Sequence, residues 1–302
     1  MVKGILGLAV MVMLVAGVSC GSKQEELEHS ALKILKNYGN VNKGANRIYP
    51  YEINIMAIDM LKEKDTIHIA ECQYYIQWYL SHLNPSDRYG LSGTIYEYDA
   101  FPNGDEKSTN VYTSVDESAA SFILLIHRFY KVSGFEKTIR QNAKKIQDIA
   151  YLIPYCQDST DGLIRSIPET GRKYLTANCE DYAAIGAFIQ LIDIFGWENR
   201  SLYENVQMEL KNAIQKKFYR KNLNDFYYII DNRGKYSPDW KPFSDATYAQ
   251  LFPLLYRIVP NAIDATKLWV KLQQVYPKES IDRLPHVQNI VFRWTSDVMG
   301  ER

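Results

Sequence analysis

Residues 181–195 read DYAAIGAFIQLIDIF. An acid opens the run, small residues follow, and apolar side chains then recur at three- and four-residue spacing through Phe195. This is the pattern of an α-helix with a wide apolar stripe. The same order returns in Glu52-Ile-Asn-Ile-Met-Ala-Ile, Asp116-Glu-Ser-Ala-Ala-Ser-Phe and Asp245-Ala-Thr-Tyr-Ala-Gln-Leu. The acids are spaced 64 (116 − 52), 65 (181 − 116) and 64 (245 − 181) residues apart. A fixed period marks repeated supersecondary units, here one helix, a second helix running back, and an excursion. Four matching helices would then run in one direction, with their N-termini on one rim.

Further periodic segments fill the chain on both sides. Apolar spacing predicts helices over Leu27–Leu35, Ile53–Leu61, Ile67–Leu83, Ala119–Tyr130, Ile139–Ile153, Tyr182–Phe195, Val206–Phe218, Tyr248–Ile258, Ala265–Val275 and Val287–Val298. Short β-like pieces stand between them at residues 93–99, 162–165 and 225–230, each beside turn residues. They are too few for a main sheet and read as excursions at one end of a helical array. The fold class is therefore all-α, an array of helical hairpins with short β excursions at one rim.

The chain has 302 residues, with Lys+Arg and Asp+Glu equal at 35 each. This balance gives no electrostatic case for a nucleic-acid partner. Tyrosine is abundant, at 23, beside 5 Trp. Such side chains pair a flat apolar face with a polar edge, which suits sugar rings and equally suits a helical core. The five His form no close metal spacing, and His127 reads as a satisfied residue inside an apolar helix. Asp158-Ser-Thr-Asp161-Gly resembles a calcium turn in miniature but lacks further ligands, so it reads as an ordinary turn. No metal and no cofactor motif is present, nor any phosphate loop or nucleophile elbow.

Residues 1–20, MVKGILGLAVMVMLVAGVSC, run from basic Lys3 through an apolar stretch too short for a stable span to small residues and a cysteine. They resemble the signal peptide and lipobox of bacterial lipoproteins. The resemblance implies lipidation at Cys20 and attachment of an exported protein to the membrane, the outer one where the source has two; an ordinary cleaved signal is the alternative. Residues 21–30 would be a tether and 31–302 the helical domain. Cys72, Cys156 and Cys179 remain, as one disulfide plus a thiol or as buried free thiols.

Three further segments are Ser114-Val-Asp-Glu-Ser-Ala-Ala-Ser-Phe122, Tyr174-Leu-Thr-Ala-Asn-Cys-Glu-Asp-Tyr182 and Phe243-Ser-Asp-Ala-Thr-Tyr-Ala-Gln-Leu-Phe-Pro253. In pattern and order they resemble the six-hairpin glycosidase superfamily, in particular exopolysaccharide-associated proteins related to glycoside hydrolase family eight. The resemblance covers roughly residues 45–260. It implies an (α/α) toroid, a barrel of helical hairpins with short β excursions at one rim, that hydrolyses β-linked glycans with inversion. Carried onto this chain, it implies catalytic roles for Glu52 as general acid, Asp116 on the sugar ring and Asp245 as base. The first helix lacks the family's glycines, so Glu97 is the reserve acid. Glu180 and Asp181 adjoin the rim, and Tyr96, Tyr182, Trp240 and Tyr248 are the aromatics that could stack on substrate. Each acid can equally be a helix cap, and each aromatic can be plain packing.

The sequence thus points to an inverting endo-glycosidase whose partner is a cell-surface or secreted polysaccharide. A non-catalytic glycan-binding or export-assembly lipoprotein and a polysaccharide lyase are the alternatives on the same fold.

Overall fold

The computed structural model describes residues 29–39, 44–168 and 170–300. The expected signal peptide, Cys20 and most of the tether lie outside the described residues. The helices are α1 (Ser30–Asn37), α2 (Pro50–Met60), α3 (Thr66–Ser81), α4 (Val115–Ser133), α5 (Glu136–Gln141), α6 (Ala143–Tyr155) and α7 (Leu175–Phe195). They continue with α8 (Arg200–Lys217), α9 (Asp245–Tyr248), α10 (Leu251–Leu255), α11 (Ala262–Val275), α12 (Lys278–Ile281) and α13 (His286–Met299). Every segment with the helical spacing carries helix. The first begins at Ser30, which is buried inside α1 although it stood at the end of the expected tether.

A closed ring organises these helices. α2 packs on α4, α4 on α7, α7 on α10, α10 on α13, and α13 returns to α2. Outside the ring, α3 lies against α2 and α4, α6 against α4 and α7, α8 against α7, and α11 against α10. The first and last of the described helices meet α2 at the closing seam. Asp59 of α2 accepts from Trp294 Nε1 (2.9 Å) and Arg293 Nη2 (2.8 Å) of α13 and from the Tyr38 hydroxyl (3.2 Å) after α1.

The ring helix α7 is buried on most of its surface, and the outer helix α8 on one face. In α7, Leu175, Ala177, Ile185, Leu191 and Ile192 are all buried, as are polar Asn178, Glu180 and Asp181. In α8 only Tyr203, Val206, Leu210, Ala213 and Ile214 are. α4 and α7 end at Gly134 and Gly196, both at positive φ (66° and 69°), where a residue without Cβ closes the helix at no steric cost. The fourth ring helix is broken. Pro253 cannot donate to the Ala249 carbonyl, so α9 and α10 part at residues 249–250. The buried Gln250 side chain occupies the break, accepting from Phe226 N (2.8 Å) and donating to Phe226 O (2.9 Å).

All the strands fall on connections that lead into a ring helix. β1 (Asn46–Ile48) precedes α2 and pairs antiparallel with β2 (Tyr98–Ala100), which pairs with β3 (Glu106–Ser108) ahead of α4. β4 (Lys173–Tyr174) precedes α7 and pairs with β7 (Ile229–Asp231), which pairs with β8 (Gly234–Tyr236). β5 (Tyr219–Arg220) pairs with β6 (Asp225–Phe226). Connections at the opposite end, such as 61–65 and 196–199, are short. The N-terminal ends of the ring helices therefore form the elaborated rim, as the sequence pattern predicts. The fold is an (α/α) toroid.

Cys72, Cys156 and Cys179 are buried free thiols. His127 is half-buried, with Nε2 3.0 Å from Gln190 Oε1. Among the described residues no helix is long and apolar enough to cross a membrane.

Candidate active site

A cavity of about 240 Å³ opens on the elaborated rim between the first turns of α2 and α4. Tyr49, Pro50, Tyr51 and Glu52 form one wall, Ser114, Glu117 and Ser118 the other, with Glu97, Tyr112 and Thr113 from the connection between α3 and α4. Three carboxyl groups, Glu52, Glu97 and Glu117, thus share one pocket.

Each carboxyl is held differently. Glu97, 7% exposed, sits just before β2. Its Oε2 accepts from Arg47 Nη1 (3.0 Å), and its Oε1 accepts from the Thr113 hydroxyl (2.7 Å). Arg47 is set by the β1–β2 register, which pairs it with Asp99; its Nε lies 2.8 Å from that carboxylate. An ion pair and a hydroxyl donor thus occupy both oxygens of Glu97. Glu52, in the first turn of α2, is pushed up first by burial and then by the charge of Glu97. Glu117 is raised furthest of the three, to about 8, by burial and by its neighbour Asp116. The pocket therefore combines a carboxyl bound to a cation, Glu97, with Glu117, raised to about 8, and Glu52, raised in the same direction.

Behind the pocket lie more acids. Asp116 is fully buried and does not line the cavity. The Ser114 hydroxyl and the Glu117 N–H (2.8 Å) donate to its Oδ1. Burial raises it to about 6, against the pull of those donors. Glu180 and Asp181, on α7, are also fully buried, and burial together with neighbouring carboxyls lifts both well above the usual range. Glu180 Oε1 accepts from the Tyr51 hydroxyl (3.2 Å), which links it to the pocket wall. Asp181 has no hydrogen-bond partner at either oxygen. A buried group so placed is neutral, because a bare charge there would cost several kcal/mol or more.

The other residues singled out in the sequence fall as follows. Asp245 is the first residue of α9, exposed on the same rim, and is not among the residues lining the cavity. Asp181 corrects the repeat argument. α7 starts at Leu175, so Asp181 lies about 9 Å up the helix from its first residue rather than opening it. Leu175-Thr-Ala-Asn-Cys extends the helix backwards from the matched acid, and the even spacing of acids is not an even spacing of helix starts. Tyr96 stacks on Tyr112 (5.6 Å, 14°) beside the pocket. Tyr248 points its hydroxyl into the buried acid group without a hydrogen bond. Tyr182 faces α8, under Lys211 Nζ at 5.8 Å. Trp240 lies under Lys271 Nζ (3.6 Å) with its Nε1 3.3 Å from Asp225. The last two are occupied by protein contacts. Asp158 and Asp161 bind Lys173 Nζ at 2.6 and 2.7 Å, so an ammonium occupies the centre of the calcium-like turn.

The sequence reading missed Glu117, Arg47, Tyr49 and Tyr51. A signal for Glu117 was present. Ser114-Val-Asp-Glu117 is a capping-box pattern. Ser114 does cap α4, accepting from Glu117 N at 3.2 Å. The Glu117 carboxyl, however, meets Thr176 (3.3 Å) at the start of α7 and the cavity.

No protein-family model matches the sequence, and no curated protein is similar to it. Solved structures do share the fold. A rhamnosidase from Klebsiella oxytoca with rhamnose bound superposes with a TM-score of 0.60 at 12% identity, over 94% of this chain and 54% of that one. A sugar epimerase from a ruminal bacterium gives 0.57 at 11% identity, over 92% and 86%. A cellobiose 2-epimerase from Bacillus thermoamylovorans gives 0.53 at 12% identity, over the same shares. The chain thus spans about half the length of the rhamnosidase and most of each epimerase. At these identities the likeness concerns the (α/α) toroid alone.

Proposed function

We propose that the protein is a glycoside hydrolase whose active site is the rim cavity. One observation carries the reading: Glu117, a carboxyl raised by burial to about 8, and Glu97, bound to the Arg47 guanidinium, face the same pocket. Glycoside hydrolysis requires that pair, a protonated acid for the leaving oxygen and an ionised group for water. Glu117 donates its proton to the glycosidic oxygen as the bond to the anomeric carbon breaks. Glu97 accepts a proton from the water that forms the new bond to that carbon. Glu52, whose proton is favoured by burial, holds a sugar hydroxyl beside them. Tyr49, 41% exposed on the wall, offers its ring face to the sugar. The shared toroid of a rhamnosidase and two sugar epimerases supports a carbohydrate substrate.

Incubating the purified full chain with a panel of neutral and acidic glycans tests this. New reducing ends without ultraviolet-absorbing unsaturated sugars are expected. Unsaturated products would mean a lyase, and binding without any product would mean a carrier.

A further inference from the structure

A second cleft, of about 540 Å³, lies on the same rim. Its walls are the connection between α6 and α7 and the β7–β8 turn, and its lining includes Asp158, Asp161, Arg165, Arg172, Lys173 and Arg233. We infer that this cleft holds the carboxylate of an acidic sugar, so that the chain cleaved in the neighbouring cavity is an acidic polysaccharide. The inference rests on the glycosidase reading and names its substrate class.

The charges of the cleft divide into two sets. Asp158 is bridged by Lys173 (2.6 Å) and Arg165 (2.5 Å), and Asp161 by Lys173 (2.7 Å). These two anions and two cations satisfy one another and form the floor. The mouth is different. Asp231 is 9% exposed at its side chain and accepts from the Arg233 and Gly234 N–H groups of its own turn (2.8 and 3.2 Å). Arg172 reaches it only at 3.5 Å and is half exposed, at 53%. The exposed Arg233 guanidinium makes no ion pair among the described residues. Asp231, already bonded by its own turn, pairs with Arg172 alone, and the Arg233 guanidinium leaves the mouth an unpaired positive charge. Planar forks of this kind match the two oxygens of a carboxylate. On a chain of balanced charge, this local excess fits recognition of one sugar carboxylate at the cleft rather than a surface-wide electrostatic attraction.

Position ties the cleft to the cavity. Lys173 of the cleft and Thr176, which meets Glu117 of the cavity at 3.3 Å, are three residues apart across β4 and the start of α7. Such a step spans at most about 10 Å. Val115, next to the cavity residue Ser114, donates its N–H to Ser166 O (2.8 Å) in the same connection. One oligosaccharide lying along the rim can therefore occupy both.

The test is titration of the full chain, in detergent, with oligogalacturonate and alginate oligomers and with their neutral methyl esters. At least one acid oligomer should bind about tenfold or more tighter than its ester. The preference should weaken with salt and disappear in the double variant Arg172→Gln, Arg233→Gln, while affinity for the ester stays unchanged. Equal binding of acid and ester for every pair, or an acid preference that survives the double variant, overturns the inference. The two readings separate cleanly. An arginine-dependent acid preference without hydrolysis contradicts the glycosidase reading alone. Hydrolysis of neutral glycans with no acid preference contradicts this one alone.

Discussion

At the scale of single residues, the adjacent pair Asp116 and Glu117 shows how one chain position decides a role. Both stand in the first turn of α4, yet Asp116 is turned inward under Ser114 and Glu117 opens to the cavity. A helix N-terminus ordinarily favours carboxylate anions. Here burial outweighs that effect and raises Glu117, with the charge of Asp116 adding to the rise. A general acid performs best when its pKa lies near the working pH. The alkaline limb of kcat/KM should therefore fall near pH 8, where Glu117 loses its proton. Asp116→Asn removes the like charge, so Glu117 should ionise more readily and the limb should move to lower pH. A pH–rate profile of the variant checks the sign. A limb that stays in place, or moves upward, would show that Asp116 does not act on the group that controls the rate.

At the scale of elements, the helices were legible and the geometry of the rim was not. Three- and four-residue spacing marks α2, α3, α4, α7 and α8 because each must bury one stripe or more against a neighbour. The direction of the ring helices followed from the repeat. What failed was the start of α7. Asn178 explains why. Its fully buried side chain looks like a poor helix residue, but it accepts from Ile164 N (2.8 Å) and donates to Ile164 O and Tyr174 O (2.9 Å each). It thereby clamps the preceding excursion to the helix, a long-range contact that local pattern does not encode. Glu97 was accessible only as a residue near turns, because the Arg47 beside it comes from a strand 50 positions away. Asn178→Ala should cost about 2–4 kcal/mol, since the buried groups of Ile164 are left unpaired. It should also loosen residues 164–168 and 170–176, several of which wall the second cleft. Urea unfolding measures the first and hydrogen exchange of that segment the second. Wild-type stability would remove the clamp from the account.

At the scale of the whole molecule, the toroid closes around acids that a globular core normally excludes. Asp116, Glu180 and Asp181 are fully exposed to one another's influence and to no solvent, and all three are raised by burial. The folded state therefore binds protons that the unfolded chain, with carboxyls near pH 4, releases. Stability from this source is complete below about pH 4 and is lost as pH rises through the folded values. The melting temperature should fall between pH 5 and pH 8. Asp181→Asn keeps the size and the neutral state, so it should flatten this dependence and raise the melting temperature at pH 8 by about 2 °C or more. A thermal series that rises with pH instead would show that the acids are charged in the fold. That a protein retains this cost at the centre of one rim accords with a site that needs a protonated carboxyl at neutral pH. The most direct test of that claim is the release of reducing ends at pH 7 from the glycan that the wild-type chain cleaves, compared with Glu117→Gln and Glu97→Gln. The account predicts that each variant keeps its helical circular dichroism and loses at least about 10²-fold in turnover; a folded Glu117→Gln chain that cleaves the glycan at the wild-type rate would contradict it.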